Sequence, residues 1–97
     1  MNDYASNLNR AIDDLVRTLE SLKNLERAMA DFNRAIELNP GFGRAYASRG
    51  VVLLLQHHDA EAEQDFAKAF RLEPALKPEF EKFIKGTKRA REINQRK

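Results

Sequence analysis

The chain has no cysteine, no tryptophan, three prolines and four glycines. Without cysteine it forms no disulfide, no thiolate metal site and no thiol nucleophile. Its longest purely apolar run, Val51–Leu55, has five residues, far short of the roughly 20 that a membrane-spanning helix needs. The start, Met1-Asn2-Asp3-Tyr4, has no basic stretch followed by an apolar one, and no Asn-x-Ser/Thr sequon occurs. The expectation is a soluble cytoplasmic protein. No glycine-rich phosphate loop is present, and Ser6, Ser21 and Ser48 show no legible pairing with a histidine and an acid. No catalytic residue, cofactor or metal site is therefore expected, and the chain does not read as an enzyme.

What is present is charge, 33% of residues, and 42% hydrophobic residues in a length of 97. That suits one small domain with its own core. The net charge of +2 hides an uneven distribution. Residues 1–76 carry nine Lys/Arg and twelve Asp/Glu, whereas residues 77–97 carry eight and three. A basic tail can meet an anionic partner, but the solvated outer face of a terminal helix is the simpler explanation.

The apolar spacing is helical throughout. Leu8, Ile12, Leu15, Val16, Leu19 and Leu22 recur at threes and fours. A second helix is predicted from about Leu25 to Leu38, ended by Asn39-Pro40-Gly41. A third is predicted from Arg44 to about Gln56. The fourth runs from Ala60 to Leu72 with Asp59 as N-cap, ended by Glu73-Pro74. The fifth is predicted from Pro78 onward, weakened at Gly86. The fold class is all-α, with about five helices and no strand signal.

A shift of 34 residues aligns the chain with itself. Ala28, Asp31, Phe32, Ala35, Leu38 and Pro40 fall on Ala62, Asp65, Phe66, Ala69, Leu72 and Pro74. Arg10, Ala11 and Leu19 fall on Arg44, Ala45 and Leu53. A fixed period of this kind indicates stacked helical pairs. Small alanines let two helices approach, the phenylalanine fills the space beside them, and the proline ends the pair.

With these residues the chain resembles the tetratricopeptide repeat family, over about residues 9–95. In the second repeat the family's slots hold Tyr46, Arg49, Gly50, Leu53, Ala62, Phe66, Ala69 and Pro74. The departures there are tyrosine for tryptophan, arginine for leucine and leucine for tyrosine. In the first repeat Ala28, Phe32, Ala35 and Pro40 fit, whereas Val16 stands where glycine is usual, so the two helices cannot approach as closely. The implied domain organisation is a short lead and two repeats in residues 1–76, at about 9–42 and 43–76. A basic capping helix, 77–97, follows, with Phe80 and Phe83 in its aromatic and leucine slots.

The resemblance implies a concave groove lined by the first helix of each repeat, binding a peptide or partner helix. The candidate lining is Arg10, Asp13, Asp14, Arg17, Glu20 and Ser21 in the first repeat, and Arg44, Ala47, Ser48, Val51, Leu54 and Leu55 in the second. The cap contributes Glu81, Lys82, Lys85, Lys88 and Arg89. An apolar middle and charged ends suit a ligand with a hydrophobic anchor and acidic flanks. Val51, Leu54 and Leu55 could equally pack against the cap helix. Of the residues matching the family's two-carboxylate clamp, Asp13, Arg17, Ser48, Pro78 and Lys82, only Lys82 keeps a suitable charge. Two rival readings follow. Ala5, Leu8, Ile12, Leu15, Leu19 and Leu22 have the three–four spacing of a coiled coil, so the partner could be a second copy, giving a homodimer. The basic tail could touch nucleic acid or an anionic surface, although no aromatic residue follows Phe83 to stack on bases. His57-His58-Asp59 holds metal-ligand residue types, but neighbouring helical residues point about 100° apart, and the segment reads as a solvated turn.

Overall fold

The structure is a computed structural model that describes residues 3–95, with the side chains of 3–9, 13, 18–20, 91 and 93–95 outside the described set. Among the described residues there are four helices and no strand. They are α1 (Asp3–Leu38), α2 (Gly43–Leu55), α3 (Asp59–Leu72) and α4 (Leu76–Gln95).

The first two predicted helices are one. α1 runs 36 residues without a break, about 54 Å at 1.5 Å per residue. The segment expected to turn, Leu22-Lys23-Asn24-Leu25, contains no glycine or proline. The corresponding turn between α2 and α3 shows what is missing. His57 adopts a left-handed conformation, φ 64°, which histidine enters more readily than most residues. The His57 amide then donates to Leu54 O at 3.1 Å and the His58 amide to Leu53 O at 2.8 Å. This pair of bonds is a Schellman closure of α2. Lys23 occupies the equivalent of His57, and Asn24 arrives one residue late.

Other boundaries differ by a residue or two. The cap of α3 is His58, which makes no side-chain capping bond. Asp59, the predicted cap, is already the first helical residue. Pro78 sits in the first turn of α4, where no intrahelical N–H bond is required of it. α4 passes through Gly86 unbroken. Asn39-Pro40-Gly41 turns the chain as expected, with Asn39 Oδ1 accepting from the Gly41 amide at 3.1 Å.

The core belongs to the second repeat and its cap. Ala47, Ala69, Leu76 and Phe80 form one cluster, and Leu53, Leu54, Ala62 and Phe66 form the other. Val51, Phe70 and Ile84 pack against both. Met29 is the contribution of α1 to the second cluster. The C-terminal half of α1 lies along α2 through Phe32, Asn33 and Ala35, whereas the N-terminal half, whose described side chains from 10 to 24 are exposed, projects away. The molecule measures 59 × 31 × 20 Å, with a radius of gyration of 17.1 Å, against about 13 Å for a compact chain of 100 residues.

Candidate binding face

The α2–α3 hairpin fixes the geometry of the face. Its closest approach is at Gly50, where an added Cβ would lie 2.7 Å from Phe66 Cε1 and 2.9 Å from Cδ1. Phe66 cannot retreat easily, because it is buried and stacked on Phe70 at 6.0 Å between ring centroids. The second fastening is polar. Arg49 Nε and Nη2 donate to the two oxygens of Asp65 at 2.7 and 2.8 Å, and Nη1 donates to Asn33 Oδ1 at 3.0 Å. One guanidinium therefore ties α2 to α3 and α1. Its hydrogen bonds to the Asp65 carboxylate raise the Arg49 pKa above its ordinary value. The arginine that departs from the family's leucine slot is thus satisfied, not misplaced. An arginine at an apolar slot, 16 residues before an aspartate, was the sequence signal for it.

α4 lies across the open side of α2. Arg44 Nη1 and Nη2 donate to Glu79 Oε1 and Oε2 at 2.8 and 2.9 Å. The guanidinium carbon also sits 5.7 Å from the Phe80 ring centroid. Hydrogen bonding to Arg44 lowers the Glu79 pKa, and the same contact raises that of Arg44. Both side chains are about half exposed, at 49% and 48%, so solvent screens the pair.

Between α2 and α4 lies a shallow apolar pocket of about 170 Å³ lined by Ser48, Val51, Phe80 and Phe83. Phe83 is 61% exposed there. Ser48 also borders a second apolar hollow of about 290 Å³, lined by Asp31, Phe32, Ala35, Phe42, Arg44 and Ala45. The two hollows form one strip along α2. A third pocket, lined by Met29, Asn33, Arg49, Leu53, Glu61, Gln64 and Asp65, is polar and surrounds the Arg49–Asp65 pair.

The expected groove residues divide accordingly. Ser48 and Val51 line the strip, Leu55 is exposed at the end of α2, and Lys82 and Lys85 are exposed on α4. Ala47 and Leu54 are not lining residues. They are 0% and 1% exposed and belong to the core, because α2 turns those positions towards α3 and α4. Arg44 borders the strip, but its donors are occupied by Glu79. Arg10 and Arg17 lie exposed on the projecting half of α1, distant in sequence from the strip's α1 residues, and the side chain of Asp13 is outside the described residues. Phe83 and Phe32 are strip residues that the groove expectation did not include. His57 and His58 form the turn, with His58 Nδ1 3.5 Å from Glu61 Oε1. No group of three or more His, Cys, Asp or Glu is arranged for a metal among the described residues. No helix among them is long and apolar enough to cross a membrane.

A 34-residue sequence period, a closed helical pair α2–α3 and an apolar strip along its first helix mark a helical-repeat scaffold. Residues 10–42 match the family model described as tetratricopeptide repeat. The chain is also 34% identical over 71 residues to a UDP-N-acetylglucosamine–peptide N-acetylglucosaminyltransferase of Giardia intestinalis. That match covers 73% of this chain and 5% of the enzyme. A search of solved structures found no match. Residues 10–42 therefore carry a tetratricopeptide repeat, and the two matches together support assigning the chain to that family. Its general role is that of a protein–protein interaction module.

Proposed function

We propose that the strip along α2 and α4 is the ligand-binding surface, and that it takes an extended or helical peptide. The observation that carries this reading is Phe83. Phe83, beside Val51 and Ser48, is the most exposed aromatic ring among the described residues, and covering it removes apolar surface from water. A bulky apolar side chain of the ligand seats between Val51 and Phe83. Lys82 and Lys85 follow on α4 and are exposed, so acidic residues flanking the anchor are favoured there. Arg44 is committed to Glu79 and does not contribute. The module is non-catalytic, and residues 77–97 act as the cap that completes its core through Leu76-adjacent Phe80 and Ile84.

Selection from a displayed peptide library against the full chain tests this. Recovered peptides should share an aromatic or leucine anchor with Asp or Glu nearby. Phe83→Asp should abolish their binding, and Lys82→Glu with Lys85→Glu should weaken it about tenfold. Peptides that bind Phe83→Asp as well as the parent chain would place the site elsewhere.

A further inference from the structure

The projecting half of α1 carries a second apolar surface. Ile12, Leu15, Val16 and Leu22 are 46–59% exposed. A folded-back hairpin like α2–α3 is the first occupant to consider, and repeat equivalence argues against it. Asp13 stands at the position of Ala47, and Glu20 at that of Leu54, the two most completely buried sites of α2 named above. Val16 stands at Gly50, where a Cβ already collides with the phenylalanine of the next helix. Leu15 replaces Arg49, leaving Asp31 without the partner that Asp65 has. Closing residues 10–22 onto their own repeat buries two carboxylates with no cation supplied for them. Exchanging the segment between two copies reproduces the same contacts and the same conflict.

The apolar seam lies about 110° round the helix from Asp13, Val16 and Glu20, and of its members only Leu19 matches a buried residue of α2, Leu53. Ile12, Leu15, Leu19 and Leu22 are spaced three, four and three, the a and d positions of a heptad, which Leu8 and Ala5 extend in sequence. In this register every charged residue from 10 to 22, namely Arg10, Asp13, Asp14, Arg17 and Glu20, falls at b, c or f. The e and g positions hold Ala11, Val16 and Thr18, so no flanking charge code selects a different partner chain. Such a seam is complementary to itself, as a two-fold interface requires.

We propose that the N-terminal half of α1 pairs with the same segment of a second copy in a coiled coil, with Leu15 facing Leu15 of the other chain. The proposal is independent of the peptide-binding strip, which lies on α2 and α4. A dimer built this way carries two strips and can engage repeated ligands with avidity.

Equilibrium sedimentation of the full chain, with Leu15→Asp beside it, tests the pairing. The parent chain is expected at twice 11.2 kDa, at a concentration of about 100 µM, which detects even weak association. Leu15→Asp is expected at the single mass, with unchanged helix content and an unchanged melt of the α2–α4 body. Leu15→Cys supplies a second readout, since the parent chain has no cysteine. Mild oxidation should give a disulfide-linked pair. A monomeric parent chain overturns the proposal, as does a Leu15→Asp variant that keeps the double mass. Failure of Leu15→Cys to cross-link to itself, while it links to Ser48→Cys in a mixture, overturns it in favour of segment exchange.

Discussion

The first and second repeats share a period and differ in whether they close. Phe32 and Phe66, Ala35 and Ala69, and Asp31 and Asp65 are equivalent, so the second helix of each repeat is much the same. The first helices are not. α2 offers Gly50 to Phe66, Arg49 to Asp65 and Leu54 to the core, and ends on a residue that accepts a left-handed turn. Residues 10–22 offer Val16, Leu15 and Glu20 at those places, and Lys23 at the turn. Helix propensity then extends the chain straight through, because no breaker stops it and no tertiary contact rewards bending. A repeat closes when its close-approach glycine, its internal ion pair and its turn residue are present together.

Transplanting residues of the first repeat into the second tests this, and the largest effect belongs to Leu54→Glu. It exchanges the most buried large side chain for a carboxylate and should cost at least about 4 kcal/mol. A urea melt followed by circular dichroism should show the α2–α4 body losing its cooperative transition. Gly50→Val comes next. Removing glycine from a helix gains up to about 1 kcal/mol, but overpacking against Phe66 costs about 1–3, so a net loss of stability is expected in the same melt. Gly50→Ala, where the two effects nearly balance, should lie between Val and the parent.

The ion pair is expected to matter less, and differently for one partner than for both. Asp65→Asn leaves Arg49 partly buried without its counter-charge and should cost about 2 kcal/mol. Replacing both, with Arg49→Leu and Asp65→Leu, should recover most of that loss, since an apolar pair of similar volume can substitute for a buried ion pair. The smallest effect lies at the cap. The folded-state pKa of Glu79 is lowered by Arg44, so the pair's stabilisation is present above the ordinary carboxylate value of 4.5 and lost as pH falls through the folded value. Arg44→Ala should flatten this slight acid dependence of the melting temperature and leave the neutral-pH packing of α2 on α3 intact.

Much of this was legible in the residues. The period, the all-helical class, α2, α3, the Pro-marked ends and the packed Ala-x3-Phe pattern followed from spacing alone. The tight approach at Gly50 was visible too, as was the poorer fit of Val16. The break expected after Leu22 was not formed, because apolar spacing reports which face of a helix is buried and says little about where a helix stops without a breaker. Arg49 read as a defect in an apolar slot until its fork was seen to reach Asp65 and Asn33. Ala47 and Leu54 were placed in the groove because the family's lining positions were carried over whole, whereas burial of α2 between α3 and α4 claims both. Arg44 was counted as a ligand contact because its partner, Glu79, lies 35 residues away.

The open state of residues 10–22 is the centre of this account, and one distance tests it. Because the chain has no cysteine, spin labels can be placed at Arg10→Cys and Glu37→Cys, both exposed on α1, and their separation measured by pulsed dipolar spectroscopy in the presence of excess unlabelled chain. A continuous helix puts these positions about 40 Å apart at 1.5 Å per residue. A distribution centred near about 10–15 Å, the spacing of packed antiparallel helices with their label arms, would contradict it and return the first repeat to a closed hairpin.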